Sequence, residues 1–200
     1  MRHLERYLDR ASQRELLREI RAVIDEAPLF TPAMPRSGKP FSVAMTNCGS
    51  LGWVSDRAGG YRYQSTHPLT GNPWPAMPQA VLDIWRALAD YPAPPEACLI
   101  NYYGPEARLG LHRDEDEDDF AAPVISISLG MSARFQVGGL QRRDPTKSLV
   151  LDSGDVVILA GPSRLAYHGV DRILPGNDGL LEEDGRFNLT LRRVNPPDST

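Results

Sequence analysis

Cysteine is nearly absent. The 200 residues hold two, Cys48 and Cys98, far apart in the chain and without C-x-x-C spacing. That argues against a disulfide framework and a cysteine-based zinc site, and makes a reducing cytoplasm the expected compartment. Long apolar runs are missing too: the longest, Val156-Val157-Ile158-Leu159-Ala160, is far too short to span a bilayer, so no membrane partner is expected. The opening residues Met1-Arg2-His3-Leu4-Glu5-Arg6 carry charge where a secretory leader has its apolar stretch. An excess of positive charge is also lacking. With 22 Lys+Arg against 26 Asp+Glu, the formal net charge is −4. This argues against a non-specific grip on long duplexes and leaves room for a small basic face that holds a few phosphates. There is no internal repeat and no low-complexity tract. What remains, 41% hydrophobic and 24% charged residues, suits one globular domain with its own core.

Residues 1–27 read as helical. Leu4, Leu8 and Ala11 suggest a short first helix. Ser12-Gln13-Arg14-Glu15 has the form of a capping box, and Leu16, Ile20, Val23, Ile24 and Ala27 continue at helical spacing to Pro28. Six arginines and six acids alternate through residues 1–26 as a solvated, salt-bridged face. Pro32, Pro35, Gly38 and Pro40 make residues 31–40 a connector. Residues 41–53 are mixed and interrupted by Gly49 and Gly52, and Gly59-Gly60 turns a hairpin between residues 53–55 and 61–63. The loop Asn72-Pro73-Trp74-Pro75-Ala76-Met77-Pro78 feeds a helix with Val81, Ile84, Trp85 and Leu88 on one face. From residue 97 onward the runs are short and strand-like: 97–103, 109–112, 124–129, 134–137, 148–151, 155–159 and 188–194. Helices first and many short strands later predict an α+β, mainly β chain, a jelly roll with N-terminal helices packed on one sheet. The acidic run Glu115-Asp116-Glu117-Asp118-Asp119 reads as a solvated loop, and His3 and His67 as solvated histidines.

His112-Arg113-Asp114 is the first chemical signal. Residues two apart on a strand share a face, so one imidazole and one carboxylate can meet at a point. His168, in Ala166-Tyr167-His168-Gly169, offers a second imidazole. Two histidines and one carboxylate form the facial triad of non-haem Fe(II) oxygenases, which leaves coordination positions for a co-substrate and dioxygen. The same ligand types suit zinc in a hydrolytic site. A second signal is Arg186-Phe187-Asn188-Leu189-Thr190-Leu191-Arg192, whose alternate residues put Arg186, Asn188, Thr190 and Arg192 on one face. Guanidinium groups buried there need a partner, and a dicarboxylate beside the metal is one. Asn101 and Tyr103 repeat this pattern on residues 97–103. A divalent-metal hydrolase or isomerase on a cupin-like barrel leaves the two arginines without a role. A non-catalytic jelly-roll module would tolerate alanine at His112 or His168.

From residue 45 to 194 these motifs, in order, resemble the bacterial AlkB alkylation-repair dioxygenases. The segments are Met45-Thr46-Asn47-Cys48-Gly49, Pro73-Trp74-Pro75-Ala76-Met77-Pro78, Leu99-Ile100-Asn101-Tyr102-Tyr103, Leu111-His112-Arg113-Asp114, Gly154-Asp155-Val156-Val157, Tyr167-His168-Gly169 and the Arg186 to Arg192 strand. The resemblance implies a double-stranded β-helix in residues 96–200, a nucleotide-recognition lid with its supporting helix in residues 45–95, and N-terminal helices with a proline-rich connector in residues 1–44. It implies Fe(II), with 2-oxoglutarate and O2 as co-substrates, and oxidative removal of methyl groups from N1 of adenine and N3 of cytosine in single-stranded DNA or RNA. Formaldehyde, succinate and CO2 would be released. Carried over by position, His112, Asp114 and His168 would hold the metal. Arg186, Arg192, Asn101, Tyr103 and Asn188 would hold 2-oxoglutarate, with Leu99, Leu109 and Ser126 lining its pocket. Trp53, Tyr61, Tyr63 and Asp116 would meet the base, and Arg142 the nucleic acid. Leu159 and Ala166 stand where the family pattern carries aromatic residues. No obligate protein partner is expected, and the chain is expected to act as a monomer.

Overall fold

A computed structural model describes residues 1–197. Its strands are β1 (Arg2–Leu4), β2 (Ala44–Gly49), β3 (Gly52–Asp56), β4 (Gly60–Gln64), β5 (Ala97–Tyr103), β6 (Leu109–His112), β7 (Val124–Gly130), β8 (Ala133–Val137), β9 (Lys147–Leu151), β10 (Val156–Leu159), β11 (His168–Ile173) and β12 (Arg186–Arg192). Two helices, α1 (Arg10–Glu26) and α2 (Gln79–Leu88), precede most of them. The strands form a six-stranded sheet in the order β1-β10-β7-β12-β5-β2, a four-stranded sheet β6-β11-β8-β9, and the separate hairpin β3-β4. All pairings are antiparallel. Two facing antiparallel sheets with helices on one outer side are the expected jelly roll.

The period of two along the strands sorts the residues into two cores. Ile125, Ile127 and Leu129 of β7, with Leu189 and Leu191 of β12, face outward under α1 and α2, where Leu16, Ile20, Val81, Ile84 and Trp85 cover them. Each such side chain contributes roughly 1.5–3 kcal/mol by leaving water. The alternate residues face into the roll. There Tyr103, Val124 and Val157 of the large sheet meet Ala133, Phe135 and Val170 of the small one. Because β12 is central in its sheet, its polar positions Arg186, Asn188, Thr190 and Arg192 are turned inward and buried. That is the opposite of an edge strand with a wetted face.

Several expectations change. Residues 2–4 are a strand paired with β10, so the short first helix does not form. Arg6 takes a positive φ of 50° and its amide is held by Asp155, which turns the chain into α1. The cap of α1 is Asp9, whose carboxylate accepts from the Ser12 amide at 2.8 Å, so Ser12 is inside the helix and Glu15 pairs with Arg18. His67 is buried between Phe30 and Trp74, with one ring nitrogen on the Pro28 carbonyl and the other accepting from the Leu69 and Thr70 amides. His3 is half-buried against Asp155. Cys48 and Cys98 stand opposite one another on β2 and β5 as free, buried thiols. No helix among the described residues is long and apolar enough to cross a membrane.

Candidate active site

His112 is the last residue of β6 and His168 the first of β11, and the two are direct register partners with ring centroids 4.6 Å apart. In each ring Nδ1 donates to a backbone carbonyl two residues back, Gly110 and Ala166, both at 2.9 Å. A carbonyl oxygen has no proton to give, so the proton sits on Nδ1 and the Nε2 lone pair is free. Asp114 brings Oδ1 to 4.0 Å from His112 Nε2 and Oδ2 to 3.8 Å from His168 Nε2. One ligand atom from each of the three lies within 4.8 Å of the other two. Asp114 Oδ2 is buried without a hydrogen-bond partner. Two lone pairs and an orphaned carboxylate oxygen aimed at one point repel one another unless a cation lies between them, so these residues fit a divalent metal.

Burial would raise the Asp114 carboxyl, but Arg192, then the two histidines and Arg164, hold it well below the usual carboxylate range. Burial and the neighbouring His112 push His168 down to about 4. Both groups are thus in the ligating form at neutral pH.

A cavity of about 690 Å³ opens onto this triad. Its floor carries Leu99, Asn101, Tyr103, Leu109, Ser126, Asn188 and Arg192. Arg192 donates to Asp114 Oδ1 at 2.8 Å, while its Nε has no hydrogen-bond partner. Asn188 is held by Ser126 Oγ at 2.7 Å, and Asn101 Oδ1 is buried and unpartnered. Arg186 is fully buried behind this floor, opposite Tyr103 across β5, and does not line the cavity. It donates to Ser128 Oγ at 2.6 Å and to the carbonyls of Met131 and Leu151, and no salt bridge holds it among the described residues. Burial pulls its pKa down to about 10, so it remains a cation with no counter-ion. Two inward guanidiniums with unmet donors, and an amide beside them, fit a small dicarboxylate.

At the mouth, Trp53 of the β3-β4 hairpin donates Nε1 to Asp116 at 2.7 Å and stacks on Tyr61, centroid to centroid 5.5 Å with planes 21° apart. Tyr63 does not line the cavity; it gives its hydroxyl to Glu117, which does. Arg142 donates to the Leu111 carbonyl, and Arg142 and Arg113 lie against the Tyr167 ring at 5.9 and 5.5 Å. Leu159 lines the cavity, and the small Ala166 is buried beside the His168 ring it anchors.

The acidic run is not uniformly solvated. Glu117 is buried, 3.0 Å from Arg164 and 3.4 Å from Arg192, and Asp119 accepts from the Tyr91 hydroxyl. Only Glu115, Asp116 and Asp118 are exposed. Nothing local marks Glu117 as buried, because its partners lie 47 and 75 residues downstream.

The family model described as the 2OG-Fe(II) oxygenase superfamily matches residues 1–192. The chain belongs to this superfamily. It is 56% identical over 187 residues to the alpha-ketoglutarate-dependent dioxygenase AlkB homolog of Caulobacter vibrioides (strain NA1000 / CB15N), which covers 94% of this chain and 84% of that protein. It is 46% identical over 195 residues to the alpha-ketoglutarate-dependent dioxygenase AlkB of Escherichia coli (strain K12), covering 96% and 88%. The solved structure of OsALKBH1 superposes with a TM-score of 0.80 at 31% identity, over 96% of this chain and 95% of that one. The chain is therefore a 2-oxoglutarate-dependent dioxygenase of the AlkB type, using Fe(II), 2-oxoglutarate and O2.

Proposed function

We propose that this dioxygenase is an oxidative demethylase acting on N1-methyladenine and N3-methylcytosine in single-stranded DNA, with RNA as a second acceptor. The observation that carries this reading is the mouth of the cavity. Stackable Trp53 and Tyr61 stand beside the carboxylate of Asp116, over the His112–Asp114–His168 triad. A flat, cationic, unpaired base suits that combination: aromatic faces hold it and the carboxylate attracts its charge. A base in a duplex must first leave its stack, so single strands cost least.

In this reading His112, Asp114 and His168 hold the metal. Arg192 meets the co-substrate carboxylate nearer the metal and Arg186, behind Tyr103, the far one. Asn101, Tyr103 and Asn188 add polar contacts, with Leu99, Leu109 and Ser126 closing the sides. Bound Fe(II) with 2-oxoglutarate supplies the activation of O2, so that the methyl group is hydroxylated and leaves as formaldehyde while 2-oxoglutarate becomes succinate and CO2. The protein's own part is placement. The Nδ1–carbonyl bonds keep both imidazoles aimed, Arg192 keeps Asp114 ionised, and the apolar walls at Val124, Phe135 and Leu159 exclude water. Arg142 faces the nucleic-acid backbone, and Tyr63 supports the lid from below. We take the protein to act as a monomer in the cytoplasm, where its two unpaired thiols are in keeping with a reducing environment.

The test is aerobic incubation with Fe(II), 2-oxoglutarate and short oligodeoxynucleotides carrying one N1-methyladenine or N3-methylcytosine, with mass detection of the product. Restored bases with stoichiometric formaldehyde are expected. Succinate formed at the same rate with and without the oligonucleotide, and no change in the base, would overturn the substrate class and leave the dioxygenase intact.

A further inference from the structure

Glu117 is an acid that the demethylase reading does not use, yet it is among the most buried charged groups in the chain. It is the centre of a closed cluster. Its Oε2 receives Arg164 Nη2 at 3.0 Å. Its Oε1 receives the Tyr63 hydroxyl and lies 3.4 Å from Arg192 Nε. Arg164 is fixed by the carbonyls of Ala122 and Asp114, both at 2.8 Å. Arg192 in turn reaches Asp114. Two carboxylates, Asp114 and Glu117, and two guanidiniums, Arg164 and Arg192, thus balance one another, with Asp114, Glu117 and Arg192 on the cavity wall and Arg164 behind them. Removing one member of such a set leaves an uncompensated charge.

We propose that Glu117 is a positioning residue: it holds the Arg192 guanidinium at the angle that meets 2-oxoglutarate, and through Tyr63 it fastens the lid hairpin to the floor of the co-substrate pocket. Without Glu117, Arg192 has one anchor, Asp114, and a side chain with several rotatable bonds can swing about a single contact. With it, the Nε edge of the guanidinium also faces a carboxylate 3.4 Å away, an ion pair without a hydrogen bond that restricts the swing. The lid connection follows from register. Trp53 and Tyr63 are directly paired on β3 and β4, so both side chains project from the same face of the hairpin. They bond consecutive acids, Asp116 and Glu117, in the loop that follows the metal ligand Asp114. The outer bond is exposed and the inner one half-buried, so the inner bond is the permanent fastening. Occupying the co-substrate pocket and ordering the lid then share a residue, and each favours the other. This rests on the reading of Arg192 as a co-substrate arginine.

The test uses the full chain loaded with Mn(II) under argon, where no turnover occurs, and measures 2-oxoglutarate affinity by calorimetry and amide exchange across residues 52–64. Tyr63→Phe removes one hydroxyl and keeps the fold. It is expected to weaken 2-oxoglutarate roughly threefold or more and to abolish the slowing of lid exchange that 2-oxoglutarate causes in the parent. Glu117→Gln is expected to weaken 2-oxoglutarate at least tenfold. Unchanged affinity and unchanged lid protection in Tyr63→Phe would overturn the fastening, and unchanged affinity in a folded Glu117→Gln would overturn the positioning role. If Glu117→Gln does not fold, Tyr63→Phe decides alone. Arg192→Ala separates the two readings: if it leaves 2-oxoglutarate affinity unchanged, the assignment of Arg192 fails, whatever Glu117 does.

Discussion

At the scale of single residues, the metal ligands were legible because their chemistry is local. His112 ends β6 and Asp114 follows two residues beyond it, and an imidazole beside a carboxylate is conspicuous in any chain. The outcome expected for His112→Ala, Asp114→Ala and His168→Ala is a folded protein without turnover, checked by succinate assay, circular dichroism and metal content. Full succinate production by a folded variant would remove that residue from the ligand set. Arg186 was legible as a polar residue on a core-type strand, but its depth was not. It is a cation held by Ser128 and two carbonyls, with no carboxylate, and in the proposed reading bound co-substrate supplies its counter-charge. Arg186→Met is therefore expected to lose most of the thermal stabilisation that 2-oxoglutarate confers on the metal-loaded protein. Removing one partner of a buried charge pair costs roughly 3–5 kcal/mol of the interaction. A melting-temperature increment equal to that of the parent would mean that Arg186 does not meet the co-substrate. Glu117 was illegible for the opposite reason to the ligands. An acid inside an acidic run reads as solvated, and only the fold brings Arg164, Arg192 and Tyr63 to it.

At the scale of elements, legibility followed the hydrophobic period. β5 and β6 match the sequence reading end to end, and β7 and β12 match within two residues, because one face of each is apolar and the other polar or mixed. β2 has no alternation, since four of its residues are buried on both faces beneath the lid and helices. β1 has three residues and exists through its pairing with β10 alone. The cap of α1 was misread because Asp9 and Ser12, three residues apart, are both cap-type residues, and the turn held by Asp155 at Arg6 brings the chain into the helix at Asp9. Its carboxyl is held below its usual range, chiefly by the Ser12 amide. A depressed folded value means that the stabilisation is present above the unfolded value and fades as pH falls through the folded one. Asp9→Asn should therefore be less stable than the parent near pH 7, and the gap should close in acid, as read from urea melts at both ends. Packing of β6 against β11 makes a sharper claim. A Cβ at Gly169 would stand 2.6 Å from the Leu109 carbonyl and 2.9 Å from Gly110. Backbone cannot yield as a side chain does, so Gly169→Ala must part the two strands that carry His112 and His168. Metal affinity should drop at least tenfold while the far-ultraviolet spectrum is kept. Parental Mn(II) affinity would show that the strands absorb the methyl group without moving the ligands.

At the scale of the whole molecule, the balance of charge decides how nucleic acid is held. A net charge of −4 gives no general attraction to a polyanion. The attraction must be local, and the mouth of the cavity supplies it: Arg108, Arg113 and Arg142 line it, with Arg113 already paired to Glu115 at 2.5 Å. Exposed acids, Glu115 and Asp116, stand among them, and they repel phosphates while attracting a cationic base. In the proposed reading such a surface grips a short stretch around one methylated nucleotide and discriminates by the base rather than by the strand. Each phosphate neutralised on a single strand contributes about −0.7 to the slope of log affinity against log salt. Two or three contacts at this mouth therefore predict a slope of about −2. Arg142→Ala should reduce it by about 0.7 without changing the preference between methylated bases. Asp116→Ala should do the reverse: the slope is kept, and the advantage of cationic N1-methyladenine over neutral N3-methylthymine is lost. The measurement is fluorescence anisotropy of labelled oligonucleotides, matched except for the methylated base, across a salt series on Mn(II)-loaded protein. A slope steeper than about −5 would mean that a long tract of backbone is bound, beyond what these three arginines can hold. If Asp116→Ala weakened both bases equally, charge would not be what the lid reads, and the stacking faces of Trp53 and Tyr61 would have to carry the choice alone.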